Sequence, residues 1–158
     1  MTIPDPPGRP RAEVELEVPF HDIDAMQIVW HGRYVKYLEQ ARTALMRGLG
    51  FDDLAVLRQG WMFPVVDLRL RYLRPARLGQ RLSVRAELAA HVPMLRIHYQ
   101  IRDAGAGTWL ARASTAQAPV DATTGELCLP PPDALLRRME QAIAAWPPPG
   151  PGHVGARR

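Results

Sequence analysis

Two carboxylates, Asp22 and Asp24, stand one residue apart in the stretch 20–42, FHDIDAMQIVWHGRYVKYLEQAR. An apolar run, Ile28, Val29 and Trp30, follows them, and His31 and Gly32 then open a long helical pattern. Acids in a loop that feeds a helix N-terminus form a plausible catalytic geometry. The first N–H groups of a helix have no partner inside it, so they can polarise a carbonyl. The helix macrodipole adds partial positive charge at the same place. A carboxylate nearby can act on that carbonyl. Glu39 is a further candidate acid, although it stands three residues before Arg42, the spacing of a helix-face ion pair. Asp22 reads as a loop-holding group that accepts backbone N–H bonds. His21, Asp22, Asp24 and His31 can be drawn as a metal set, but nothing in this chemistry requires a metal, and no cofactor is expected.

The elements that must position these groups follow from periodicity. Residues 11–20 alternate, with Val14, Leu16, Val18 and Phe20 on one face and Glu13, Glu15 and Glu17 on the other, which predicts a half-buried strand. Tyr34, Leu38, Ala41, Leu45 and Leu49 recur at helical spacing until Gly48 and Gly50. Residues 51–58 predict a short second helix, with Asp52 and Asp53 in its first turn. Three alternating strands follow, built on Val66 to Tyr72, Leu82 to Leu88 and Leu95 to Ile101; each sets apolar residues against a face rich in arginine. An Ala- and Thr-rich strand is expected over 108–120, a short last strand over 126–129, and a helix over 133–146 capped by Asp133. The proposed organisation is a flexible lead-in at 1–10, one domain at 11–129, a C-terminal helix within 130–146 and a disordered tail at 147–158. One long helix and a run of antiparallel strands, each needing cover on one face, predict an α+β fold with a sheet wrapped around the helix.

Composition narrows the function. The chain has 158 residues, 47% hydrophobic and 23% charged, enough for one domain with a real core. A lone cysteine, Cys128, excludes an intrachain disulfide and a cysteine-based zinc cluster. No apolar run reaches the roughly 18 residues of a spanning helix, and the N-terminus lacks the apolar core of a signal peptide. A cytoplasmic protein without membrane contact is expected. The net charge is +4, carried almost wholly by arginine, which favours an anionic partner. The arginines are scattered along strands rather than clustered with exposed aromatics, which argues against nucleic acid.

The stretch 20–42 resembles the signature of the hotdog-fold acyl-CoA thioesterases of the 4-hydroxybenzoyl-CoA thioesterase type. That signature is an aromatic, two acids one residue apart, a short turn, an apolar run, an aromatic or His, and a helix bearing an acid and Ala-Arg. The later segment PVVDLRLRYLRPARLGQRLSVRAEL, a strand, a basic turn and a second strand, is similar to the same family. The resemblance covers about residues 12–129. In detail, WHGRYVKYLEQAR and PVVDLRLRY look most like the thioesterase-like proteins of aryl-polyene pigment clusters.

The resemblance implies a single hotdog domain that pairs into homodimers through one continuous sheet, with dimers associating into homotetramers. It implies acyl-CoA or an acyl carrier protein as partner. Asp24 matches the family's catalytic carboxylate, and His31 the helix start whose N–H polarises the thioester, with an imidazole role also open. Gln27, Trp30 and Gly32 would meet the substrate, and Arg74 and Arg77 lie where relatives contact CoA phosphates. Trp61, Met62 and Phe63 are candidates for an acyl pocket or for ordinary core. One departure stands out: many relatives have glycine where this chain has Gln27. The leading expectation is thioester hydrolysis. The alternative is a catalytically weak module that holds acyl-carrier intermediates. A hotdog dehydratase expects a different His–acid motif, which His31 and Glu39 do not reproduce.

Overall fold

The computed structural model describes residues 8–146. The predicted alternation becomes a five-stranded antiparallel sheet in the order β1-β4-β5-β6-β3. Its strands are β1 (Arg11–Glu17), β3 (Val65–Tyr72), β4 (Arg81–Ala90), β5 (Leu95–Asp103) and β6 (Trp109–Gln117). A second, two-stranded sheet joins β2 (Trp61–Met62) to β7 (Val120–Asp121). Helix α1 (Tyr34–Gly48) crosses the inner face against β1 and β4. Helix α2 (Asp53–Arg58) follows it, and α3 (Asp133–Ala144) closes the far end of the core. The wrapped sheet of the sequence reading is the architecture found.

Alternation puts Leu82, Val84, Ala86, Ile97, Tyr99 and Ile101 on the inner face, each no more than 2% exposed. Tyr34, Tyr37, Leu38, Ala41, Leu45 and Met46 of α1 pack onto them. Each fully buried Leu or Ile contributes roughly 1.5–3 kcal/mol relative to an exposed one, so this layer dominates the stability. The end of α1 is covered by α3, whose Leu135 and Met139 are buried, and a Cβ on Gly48 would come within 3.0 Å of the Trp146 ring. The buried Arg42 donates to both oxygens of Glu39 and both of Asp53, locking α2 onto α1. Burial alone would lower the Arg42 pKa, but these bonds outweigh it and raise it.

Several expectations need correction. The first strand stops at Glu17 because Pro19 interrupts the ladder and Phe20–Asp22 form a 3-10 turn. Pro10, assigned to a flexible lead-in, is buried, and its carbonyl accepts from the Leu88 N–H. The short strand over 126–129 reduces to one bridge between Val120 and Leu127. Asp133 does not cap α3: Pro132 holds the N-cap position, with no side-chain bond, and Asp133 sits in the first turn. Residues 1–7 of the lead-in and the tail 147–158 lie outside the described residues. Strand β3 forms where expected, but its cover does not. It forms the sheet edge, and Val66, Leu68 and Tyr72 of its supposedly covered face are 57%, 42% and 46% exposed.

Candidate active site

Asp24 and Gln27 belong to one tight hairpin. The Asp24 N–H donates to the Ile28 carbonyl, and the Gln27 N–H donates to the Asp24 carbonyl. That is the bonding of a three-residue loop, whose last residue needs a left-handed backbone. Gln27 supplies it, with φ 65°, as the one non-glycine residue of positive φ among those described. The departure from glycine therefore leaves the backbone geometry that glycine would take. The Asp24 carboxylate is anchored by one oxygen, Oδ1, which accepts the Met26 N–H at 2.8 Å. Oδ2 has no hydrogen bond among the described residues.

A left-handed backbone costs a side-chain-bearing residue roughly 1–2 kcal/mol, while glycine costs roughly 0.5–1 kcal/mol more in unfolded-chain entropy. The first term is the larger. Gln27→Gly is therefore expected to raise stability by about 0.5–1 kcal/mol, read by urea denaturation. A loss of stability would show that the Gln27 side chain holds the turn through contacts that outweigh its strain.

The hairpin is held against the start of the helix. The Trp30 N–H donates to the Asp22 carbonyl, and the Arg33 N–H to the Trp30 carbonyl, closing the 3-10 turn His31–Arg33 that leads into α1. The N–H groups of His31 and Gly32 open this turn and have no acceptor among the described residues, as expected of a helix's first amides. The Tyr72 hydroxyl of β3 donates to the His31 carbonyl at 2.6 Å. The Tyr34 hydroxyl accepts the Ala76 N–H at 3.0 Å, while the Ala76 carbonyl accepts the Val29 N–H. Loop 73–80 is thus pinned to the helix start, which brings Arg74 and Arg77, both exposed, to the same end of the molecule. Burial raises the pKa of both Tyr34 and Tyr72, which keeps these hydroxyls neutral.

Asp22 is placed differently from its reading. It is 4% exposed, and its Oδ2 accepts the Tyr37 hydroxyl at 2.7 Å rather than a backbone N–H. Arg33 Nε lies 3.5 Å and His21 Nε2 3.7 Å from Oδ1, which has no hydrogen bond of its own. The Tyr37 pKa is pushed well up, first by burial and then by its bond to Asp22. The sequence pattern places Tyr34 on the helix and Tyr72 at the end of an alternating strand, and gives none of the three tyrosine hydroxyls a role. The available signal was a tyrosine pair three apart on an apolar helix face, where each buried ring must still satisfy a hydroxyl.

Glu39 is paired with Arg42, so it is structural here. Trp61 and Phe63 pack against the core, while Met62 is exposed. Among the described residues, no three His, Cys, Asp or Glu side chains are grouped as metal ligands. Trp30, 47% exposed, lies over Gly32 with its ring 5.0 Å from that of His31. A Cβ on Gly32 would come within 2.4 Å of the indole. Gly32 is thus the seat for the Trp30 ring. Gly32→Ala is expected to displace the indole and cost about 1 kcal/mol, and Trp30→Ala in the same chain should remove most of that penalty. Equal costs with and without Trp30, measured in a double-mutant cycle by thermal melting, would rule this seating out.

Known proteins resemble this chain in sequence and in fold. The sequence model described as the thioesterase-like superfamily matches residues 18–146. An acyl-CoA thioester hydrolase of Escherichia coli is 32% identical over 75 residues, 48% of this chain and 56% of that protein. An acyl-acyl carrier protein thioesterase of Arabidopsis thaliana is 26% identical over 88 residues, 56% of this chain and 46% of that one. The matches span about half the length of such curated relatives. A DHNA-CoA thioesterase structure from Staphylococcus aureus superposes with a TM-score of 0.75 at 21% identity, covering 85% of this chain and 89% of that one; this likeness speaks for the fold. An acid-bearing hairpin docked on an open helix start inside a hotdog-like wrap, together with a match over most of its length, makes this chain a member of the thioesterase-like superfamily.

Proposed function

We propose that this chain hydrolyses acyl thioesters carried on CoA or on an acyl carrier protein. The supporting observation is Asp24, with one oxygen fixed and the other free, on a hairpin tied to a helix start whose His31 and Gly32 amides are open. A thioester is electrophilic enough to react without a serine triad. The Asp24 carboxylate adds to the carbonyl, giving a mixed anhydride that water later cleaves to the free acid, or it takes a proton from a water that adds and forms the acid directly. The amides carry the developing oxyanion, and the thiolate leaves and is protonated by solvent. His31 acts through its N–H in this reading, Trp30 and Gln27 border the entry, and Arg74 and Arg77 meet phosphate. A panel of CoA and carrier thioesters with free-thiol detection tests it: cleavage of none defeats the hydrolase reading. The alternative, a weaker module that only holds carrier intermediates, draws on Gln27, as a reshaped turn or as a side-chain amide in the pocket; the left-handed φ there speaks against the first of these.

The functional unit in this reading is a homodimer joined edge to edge at β3, and two such dimers make a homotetramer. An eight-residue edge strand exposing Val66, Leu68 and Tyr72 needs cover. Tyr72 on that edge also holds the helix start, so pairing there would complete the site. Light scattering that finds a monomer at assay concentration would defeat this part. An aryl-polyene acyl group is the finer substrate proposal, tested by including such a thioester in the panel. A cytoplasmic location accords with this reading; among the described residues no helix is long and apolar enough to cross a membrane.

A further inference from the structure

The outer face of the sheet is divided by charge. On β1 and β4 the charges are matched: Arg85 meets Glu13 at 3.2 Å, Arg81 meets Glu15, and Arg9 meets Glu87 at 3.7 Å. On β5, β6 and β3 they are not. Arg96, Arg102, Arg112, Arg69 and Arg71 share that half with one acid, Asp67, which already pairs with Arg69 at 3.3 Å. Arg71 and Arg112 are direct cross-strand partners, an arrangement that like charges make unfavourable. Arg102 and Arg112 lie over the Trp109 ring, 3.9 and 4.3 Å from its centroid, so two guanidiniums are held close together.

We propose that this patch, centred on Arg71, Arg102, Trp109 and Arg112, docks the acidic surface of an acyl carrier protein. The proposal rests on the thioesterase reading and names the partner of that site. A compact patch bounded by neutralised pairs suits an acidic protein face, whereas a nucleic-acid strand follows a longer basic groove. The position suits delivery as well. From Arg71 the chain runs to Tyr72, which holds the His31 carbonyl, and to Arg74, whose N–H donates to the Leu110 carbonyl on the strand of Trp109. Ala76, pinned to the helix start, is at most about 18 Å of chain beyond Arg71. A carrier seated on the patch therefore has its pantetheine arm within reach of the site, along Arg74 and Arg77. Pairing of two β3 edges would set two such patches side by side on one face.

The test compares one acyl group on CoA and on holo acyl carrier protein, for the wild type and for Arg71→Glu/Arg112→Glu. The double variant is expected to raise KM for the carrier thioester at least tenfold, with kcat and the CoA reaction changed less than twofold. Wild-type carrier KM should also rise with salt, because exposed charges steer the encounter. Arg71→Glu alone puts a carboxylate opposite Arg112, so it should keep or raise the melting temperature while weakening carrier binding, which separates docking from folding. Fluorescence anisotropy with labelled holo carrier reads binding even if no thioester is cleaved, so loss of binding in the variant upholds docking whatever becomes of hydrolysis. Unchanged carrier KM and binding in the double variant overturn the proposal. So does tighter binding of a single-stranded oligonucleotide than of the carrier, or an altered oligomer mass by light scattering, which would make this face an interface between copies.

Discussion

Asp24→Asn is expected to lower the turnover of a cleaved thioester by about 10³-fold while leaving the fold intact. A positioned general base contributes roughly 10²–10⁴-fold, and a nucleophile that the amide cannot replace belongs at the upper part of that range. The substitution is informative because one Asp24 oxygen is anchored while the other is left for the proposed chemistry. Oδ1 accepts the Met26 N–H at 2.8 Å, and an asparagine carbonyl oxygen can keep that bond. What the amide cannot do is attack the carbonyl or accept a proton from water. The hairpin should therefore survive, with a melting temperature within about 1–2 °C of wild type, since a half-buried carboxylate in no ion pair adds only a small term. Asp24→Ala removes the turn bond as well and should cost about 1 kcal/mol of stability beyond the same loss of rate. The measurement is free-thiol release under saturating substrate, with thermal melting as the control. An Asn variant that retains full rate would remove Asp24 from the chemistry, and the His31 imidazole would then be the next group to examine.

The fold was legible because its two periods are clean. Leu82, Val84 and Ala86 alternate without a fault, and Leu38, Ala41 and Leu45 keep helical spacing; each set finds the other across the core. The hairpin was legible in part. The special character of the Gln27 position could be read from a comparison with glycine-bearing relatives, but only the Asp24–Ile28 bonding shows that the residue accepts a left-handed φ without changing the turn. Strand β3 misled for a physical reason. Its alternation is as regular as that of β4, and periodicity cannot report that Val66 and Leu68 stay exposed among the described residues. The same limit hid the tyrosines. Tyr34, Tyr37 and Tyr72 read as apolar positions because their rings are, whereas their hydroxyls bond to residues 42, 15 and 41 places away. Local spacing carries no information over such separations.

Asp22→Ala carries the second large effect, and here the expected loss is in stability. The Tyr37 hydroxyl and Asp22 Oδ2 meet at 2.7 Å inside the protein. Removing the carboxylate leaves a buried hydroxyl without its acceptor, at roughly 1–3 kcal/mol, and takes away the charge facing Arg33. A total of about 3 kcal/mol is expected, or roughly 10 °C in melting temperature for a domain of this size. Tyr37→Phe should cost about 2 kcal/mol, because it strands the carboxylate instead. The double variant leaves neither group unpaired, so it should fall short of the sum by at least about 1 kcal/mol in a double-mutant cycle read by urea denaturation. Additive costs would mean that the two side chains do not act on each other. Asp22→Asn, whose carbonyl oxygen can still accept from Tyr37, should recover much of the stability. The pair also joins the hairpin to α1, since Asp22 receives the Trp30 N–H on its carbonyl and Tyr37 on its carboxylate. Turnover should therefore fall in Asp22→Ala even at temperatures where the protein remains folded. Asp24 keeps its own bonds in that variant, but the tie between the hairpin and the helix start is loosened, and in the proposed reaction a displacement on the order of 1 Å is enough to cost about 10²-fold.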